Sequence, residues 1–220
     1  MSKEKEDLRK REESTLEVYE RWADSYDRNR DRSLFEKEYI DLFLDHISNS
    51  LVTEVTEDGL DILDLGCGAG EPIASYLISQ GHKVTGADYS QSMLSICRKR
   101  YPDHHWIFCD MRDYKLVDQK YEGIISWGAF FHLNHEQQRR NLPLICQSLK
   151  AGGCLLLTVG PEEGEVWGEV AGQKVYHASL APEEYESILK NNNLEPFIFN
   201  RNDENCQGFS ILMAKKRGSL

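Results

Sequence analysis

The 220 residues carry 26 Lys and Arg against 37 Asp and Glu, a formal net charge of −11, with 40% hydrophobic and 29% charged residues. This is ordinary globular composition, sufficient for one cored domain and a modest extension. The acidic balance argues against a nucleic-acid partner, whose phosphate backbone needs basic patches.

Residues 3–13 are mostly charged with no apolar stretch after them, so no signal peptide is expected. No apolar run approaches the ~18 residues that span a bilayer, which leaves the cytoplasm as the expected location and a membrane partner unexpected. Residues 1–57 read as a charged tail and a helical cap, and 58–220 as the core. Over 14–50, Leu16, Tyr19 and Ala23, then Phe35, Tyr39, Leu42, Phe43 and Ile47, recur at three- and four-residue steps. That period predicts two helices joined by the polar segment 24–33.

From residue 60 the pattern becomes strand, turn, helix, strand. Apolar runs at 62–65, 83–87, 106–109, 123–127 and 154–159 alternate with helical stretches at 71–79, 90–100 and 136–149. Such alternation predicts a parallel sheet with helices on both faces. A helix at 182–190 is followed by strands at 196–200 and 209–214 with only a loop between them, which predicts an antiparallel pair at the sheet edge. Cys67, Cys97, Cys109, Cys146, Cys154 and Cys206 have neither zinc-site nor disulfide spacing and read as small buried thiols.

Gly66, Gly68 and Gly70 follow the first strand and stand just before the predicted helix, where glycines permit a tight turn and close backbone approach to a ligand. A dinucleotide loop wants a further glycine where this chain has Glu71. An acid at that helix start is hostile to a pyrophosphate. S-adenosylmethionine carries no phosphate, only an ammonium, a sulfonium and a carboxylate, and Asp64 just before the first glycine is a candidate partner for the ammonium. Asp88, ending the next strand, is placed either to bind both ribose hydroxyls of an adenosine or simply to cap a helix. Tyr89 offers a ring to the adenine, and Ser90 is a candidate N-cap.

Leu-Asp-Leu-Gly-Cys-Gly-Ala-Gly, Val-Thr-Gly-Ala-Asp-Tyr-Ser-Gln-Ser-Met-Leu and Phe-Cys-Asp-Met-Arg, in this order, resemble the class I S-adenosylmethionine-dependent methyltransferases over about residues 60–216. The resemblance implies an α/β, Rossmann-like three-layer sandwich. Its seven-stranded sheet would have order 3-2-1-4-5-7-6 with the last strand antiparallel, preceded here by the N-terminal helices. It implies that Asp64, Gly66, Cys67, Gly68 and Gly70 border the methionine part of the cofactor and that Asp88 binds the ribose. Tyr89 and Met93 would border the adenine, Asp110 would accept from its amino group, and Met111 would pack on the ring. Trp127 would lie under the methionine portion. The stretch around Tyr19, Trp22 and Tyr26 resembles an N-terminal lid in which a tyrosine meets the methionine end; a plain aromatic packing face is the alternative.

The acceptor side is less legible. Methyl transfer is an in-line displacement that chiefly needs alignment and exclusion of water, so no catalytic residue is obligatory. Phe130 and Phe131 either line an acceptor pocket or pack in the core. His132 is a candidate general base or a structural hydrogen-bonder, and His135 is expected to cap the next helix. The twenty or so residues after the fifth strand form a long connection of the kind that carries function. Within it Tyr176 and His177 are candidate acceptor contacts, and the alternation over 173–177 hints at a short hairpin. Glu162, Glu163 and Glu165 suit either a cationic acceptor or a solvated loop. No metal set is apparent, and the Asn/Asp-Pro-Pro-Tyr of nucleobase-methylating enzymes is missing. The expected partner is a small-molecule acceptor; a protein or RNA methyltransferase and a nucleotide-binding module without chemistry stay open.

Overall fold

The computed structural model describes residues 14–48, 59–118 and 120–218. The charged tail and the expected boundary near residue 57 lie outside them. Helix α1 occupies residues 14–21. It is followed by α2 (Ala23–Asn29) and α3 (Lys37–Ser48). Alternation then sets in: β1 (Asp61–Leu65), α4 (Ile73–Ser79), β2 (Lys83–Asp88), α5 (Gln91–Arg100), β3 (His105–Phe108), β4 (Tyr121–Ser126), α6 (His135–Gln147) and β5 (Leu149–Val159). A hairpin of β6 (Gly164–Val170) and β7 (Gln173–Ser179) precedes α7 (Pro182–Asn191), β8 (Leu194–Asp203) and β9 (Phe209–Lys216).

Seven strands form one sheet in the order β3-β2-β1-β4-β5-β9-β8, and β6 pairs only with β7. Counted without the hairpin, that is 3-2-1-4-5-7-6, with β9 antiparallel to both its neighbours. Strands β1, β4 and β5 are buried on both faces, as the central strands of a parallel sheet are. One cluster around Leu63, Ile124, Leu142 and Tyr185 fills one face; a second around Ile40, Phe43, Ile62 and Trp106 fills the other. Among the described residues no helix is long and apolar enough to cross a membrane.

Three local expectations change. The segment 24–33 is no simple connector, because α2 takes most of it. Tyr19, Ala23, Tyr26 and Arg30 keep a three- to four-residue step, so its charged residues share the helix with an inward face. The short hairpin hinted at over 173–177 is present but longer, β6 and β7 pairing from Gly164↔Ser179 to Val170↔Gln173. His135 is the first residue of α6 rather than its cap: the Asn134 side chain accepts from Gln137 N, and Gln137 reciprocates in a capping box. Ser90 does cap α5, its Oγ accepting from Met93 N.

Candidate active site

At the carboxyl ends of β1, β2 and β4 lies a cavity roofed by α1 and α2, the edge where open α/β sheets bind ligands. Asp64, Gly66, Cys67, Gly68, Asp88, Tyr89, Met93, Asp110, Met111, Trp127, Tyr19 and His132 all line it. Gly70 does not. A Cβ there would make ordinary contact at 3.4–3.5 Å with Cys97, Trp106 and Tyr101, so it is the φ of +81° that calls for glycine. Gly66 is needed twice over: its φ is +83°, and a Cβ would stand 2.2 Å from that of Ala129.

Asp88 organises the loop. Its Oδ2 accepts from Gly68 N at 2.9 Å and its Oδ1 from Ser90 N at 2.8 Å. Burial raises its carboxyl, against those backbone donors. Asp64 is 3% exposed. Burial first, then the charge of Asp88, pushes it up to about 7, while Arg30 opposes the shift. Arg30 is a cavity residue that the sequence reading missed; its signal was the 19-23-26-30 step inside a segment read as polar. Cys67 is no nucleophile, since burial holds its thiol well above the usual range. All six cysteines are buried and free.

At the opposite end Asp110 is held by Arg112, which donates through its backbone N at 2.9 Å and its Nη2 at 2.7 Å. The same guanidinium lies 5.5 Å from the centre of the Tyr89 ring. Trp127 is 5% exposed, and its Nε1 has no hydrogen-bond partner among the described residues. Such a buried, unpaired donor on a cavity wall suits a ligand that brings an acceptor.

The expected acceptor contacts stand elsewhere. Residues Phe130–His132 form a 3-10 turn, in which residues three apart share a face. Ala129 and His132 therefore face the cavity, while Phe130 is fully buried in the core. Phe131 packs on His177 at 4.6 Å and Phe209 at 6.1 Å. Tyr176 is 1% exposed. Phe131, Tyr176 and His177 pack against His132, and neither they nor Phe130 line the cavity.

The roof is tied down on both sides. Asp27 of α2 receives both Arg100 nitrogens at 3.0 and 2.8 Å, and Arg100 also donates to Ala69 O at 2.9 Å. Glu20 of α1 accepts from Ser90 Oγ at 2.5 Å and Ser92 Oγ at 2.8 Å. Across the cavity Tyr176 N donates to Thr15 Oγ1 at 2.9 Å. Glu71, the acid that argues against a pyrophosphate, accepts from Ser75 Oγ at 2.8 Å and the Tyr101 hydroxyl at 2.6 Å. Among the described residues no three His, Cys, Asp or Glu side chains gather as a metal set.

Residues 62–153 match a family model described as a methyltransferase domain. The match marks a methyltransferase domain within the chain, and the sheet has the strand order that the resemblance to class I S-adenosylmethionine-dependent methyltransferases implies. A relative from Geobacillus sp. (strain WCH70), described as an uncharacterized methyltransferase, is 30% identical over 138 residues, 62% of this chain and 63% of its own. The chain thus spans less than two thirds of that relative. Magnesium protoporphyrin IX methyltransferase from Synechocystis PCC 6803, solved with bound S-adenosylmethionine, superposes with TM-score 0.64 at 16% identity, over 93% of this chain and 96% of that one. An amino pentose methyltransferase from Micromonospora echinaspora, also solved with the cofactor, gives 0.61 at 18% identity, over 86% and 93%. Both are likenesses of fold.

Proposed function

We propose that this chain transfers a methyl group from S-adenosylmethionine to a small-molecule acceptor. The observation that carries this reading is the pair of carboxylates, buried Asp64 and half-buried Asp88, on adjacent strands beneath a two-helix roof. Asp88 binds the ribose hydroxyls with the lone pairs its loop contacts leave open. Asp64 faces the ammonium, while Arg30 and the unpaired Trp127 N–H serve the carboxylate. Tyr89, Met93 and Met111 enclose the adenine. With its carboxylate held by Arg112, Asp110 keeps lone pairs for the adenine amino group. Gly66, Cys67 and Gly68 run beside the methionine part.

The cofactor supplies a methyl carbon activated by the attached sulfonium. As a lone pair of the acceptor forms its bond to that carbon, the carbon–sulfur bond breaks and its electrons stay on sulfur. The chain's share is alignment and exclusion of water. A roof fastened on both sides favours an acceptor small enough to enter beneath it.

Calorimetry tests the donor: heat is expected with S-adenosylhomocysteine and none with NAD, and the reverse overturns the reading. Asp88→Ala is expected to weaken S-adenosylhomocysteine at least tenfold, about 1.4 kcal/mol. A donor with a labelled methyl tests the acceptor in cell extract. Label in small metabolites supports the proposal, and label confined to protein or RNA overturns it.

A further inference from the structure

Three groups from three separate elements meet at the cavity wall in one hydrogen-bonded line. His132 Nδ1 lies 2.8 Å from the carbonyl oxygen of Tyr176 on β7, and its Nε2 lies 3.0 Å from the Tyr19 hydroxyl on α1. A carbonyl oxygen only accepts, so Nδ1 carries the hydrogen. Burial pushes His132 down to about 3, so the ring holds a single proton at neutral pH. Nε2 is then a lone pair, and the Tyr19 hydroxyl must donate to it. Burial raises the Tyr19 phenol as well, which keeps both members of the pair neutral.

Tyr19 shares the cavity with Asp64 and lies on the side of Tyr26 and Arg30. Its ring stands edge-on to Tyr26 at 5.6 Å, and the Arg30 guanidinium lies 6.0 Å from the centre of the Tyr26 ring. With its one hydrogen committed to His132, the Tyr19 oxygen has only lone pairs left to offer. A hydroxyl free to rotate would be as ready to donate there as to accept.

We propose that His132 is a positioning residue that fixes Tyr19 as a hydrogen-bond acceptor toward the cavity, and that the donor received is the ammonium of the cofactor's amino-acid end. This rests on the reading that the cavity binds S-adenosylmethionine. An ammonium has three hydrogens to place; Asp64 takes part of that need and the Tyr19 oxygen takes more. His132 then serves binding, since its Nε2 lone pair accepts from Tyr19 and its Nδ1 hydrogen goes to Tyr176 O.

The test is calorimetry on the full chain with two ligands: S-adenosylhomocysteine, and 5′-methylthioadenosine, which lacks the amino-acid end. Tyr19→Phe removes the oxygen. His132→Asn keeps a donor for the Tyr176 carbonyl but does not reach Tyr19, whereas His132→Gln extends an acceptor to Tyr19. Tyr19→Phe and His132→Asn are expected to weaken S-adenosylhomocysteine about tenfold, roughly 1.4 kcal/mol, and to leave methylthioadenosine within twofold. His132→Gln is expected to recover most of the lost affinity. Equal loss of both ligands marks a merely structural contact and overturns the proposal. So does an unchanged affinity, or a Gln variant that behaves like the Asn variant. If His132→Asn does not fold, the two-ligand contrast in Tyr19→Phe decides alone. Wild-type protein that binds neither ligand defeats the cofactor reading itself, an outcome separate from these.

Discussion

Asp64 sits in the cavity with its carboxyl pushed up to about 7 by burial and by Asp88. The direction fixes the pH behaviour. A raised carboxyl gives the empty protein stability that is fully present below the ordinary Asp range near 3.9 and is lost as pH rises through 7. An ammonium beside it favours the charged form, so ligand binding near pH 6 should expel a proton. Titration with S-adenosylhomocysteine in two buffers of different ionisation enthalpy should show that release, with affinity rising up to about pH 7 and levelling above. Asp88 is raised too and can contribute, so Asp64→Asn is the control, expected to remove most of the release. Release unchanged in that variant would exclude Asp64 as the ammonium's partner. At this scale the sequence was most informative around the glycine loop, because Asp64, Gly66, Gly68 and Asp88 are local to two adjacent strand ends. It was silent on Arg30, whose role depends on a helix folding back over them.

The element that decides access is the roof. Helix α2 has seven residues, too few to persist without tertiary support, and Asp27–Arg100 is a main part of that support. The Arg100 and Asp27 side chains are 28% and 14% exposed, and the contact is bidentate. Arg100→Ala is therefore expected to cost about 1 kcal/mol. Amide exchange over residues 23–29 should quicken severalfold, and bound S-adenosylhomocysteine should leave faster in stopped-flow measurements. Unchanged exchange there would mean the strap does not hold the roof. The helix was hidden in the sequence by its surface charges, which suggested a linker. The hairpin was half visible, since alternation over 173–177 marked β7 while the apolar Val166, Trp167 and Val170 of the mostly exposed β6 do not alternate.

In the molecule as a whole, the roof and the sheet are joined through α3. Gly123 of β4 lies beneath Phe43 and Ile47, and a Cβ there would stand 2.2 Å from Phe43 Cζ. Gly123→Ala should force α3 away from the sheet at about 1–3 kcal/mol, lowering the melting temperature by roughly 2–4 °C per kcal/mol. A melting temperature equal to wild type would show that α3 yields without cost. Sheet order and the strand-end lining of the cavity follow from the chain's own order, because apolar runs, glycines and strand-end acids are read where they stand. Phe130 and Phe131 against Ala129 and His132 could not be sorted that way, since one 3-10 turn decides which of four consecutive residues faces the cavity. Tyr19, His132 and the Tyr176 carbonyl lie more than a hundred residues apart at the extremes of their line, and only packing of α1 against the hairpin brings them into hydrogen-bond range. The strand grammar thus settled the sheet and the strand-end residues that border the cavity. The roof, the contact of Tyr19 with His132 and the place of Phe131, Tyr176 and His177 outside the cavity were decided by tertiary contacts, because each depends on the distance between elements and no local pattern encodes that distance.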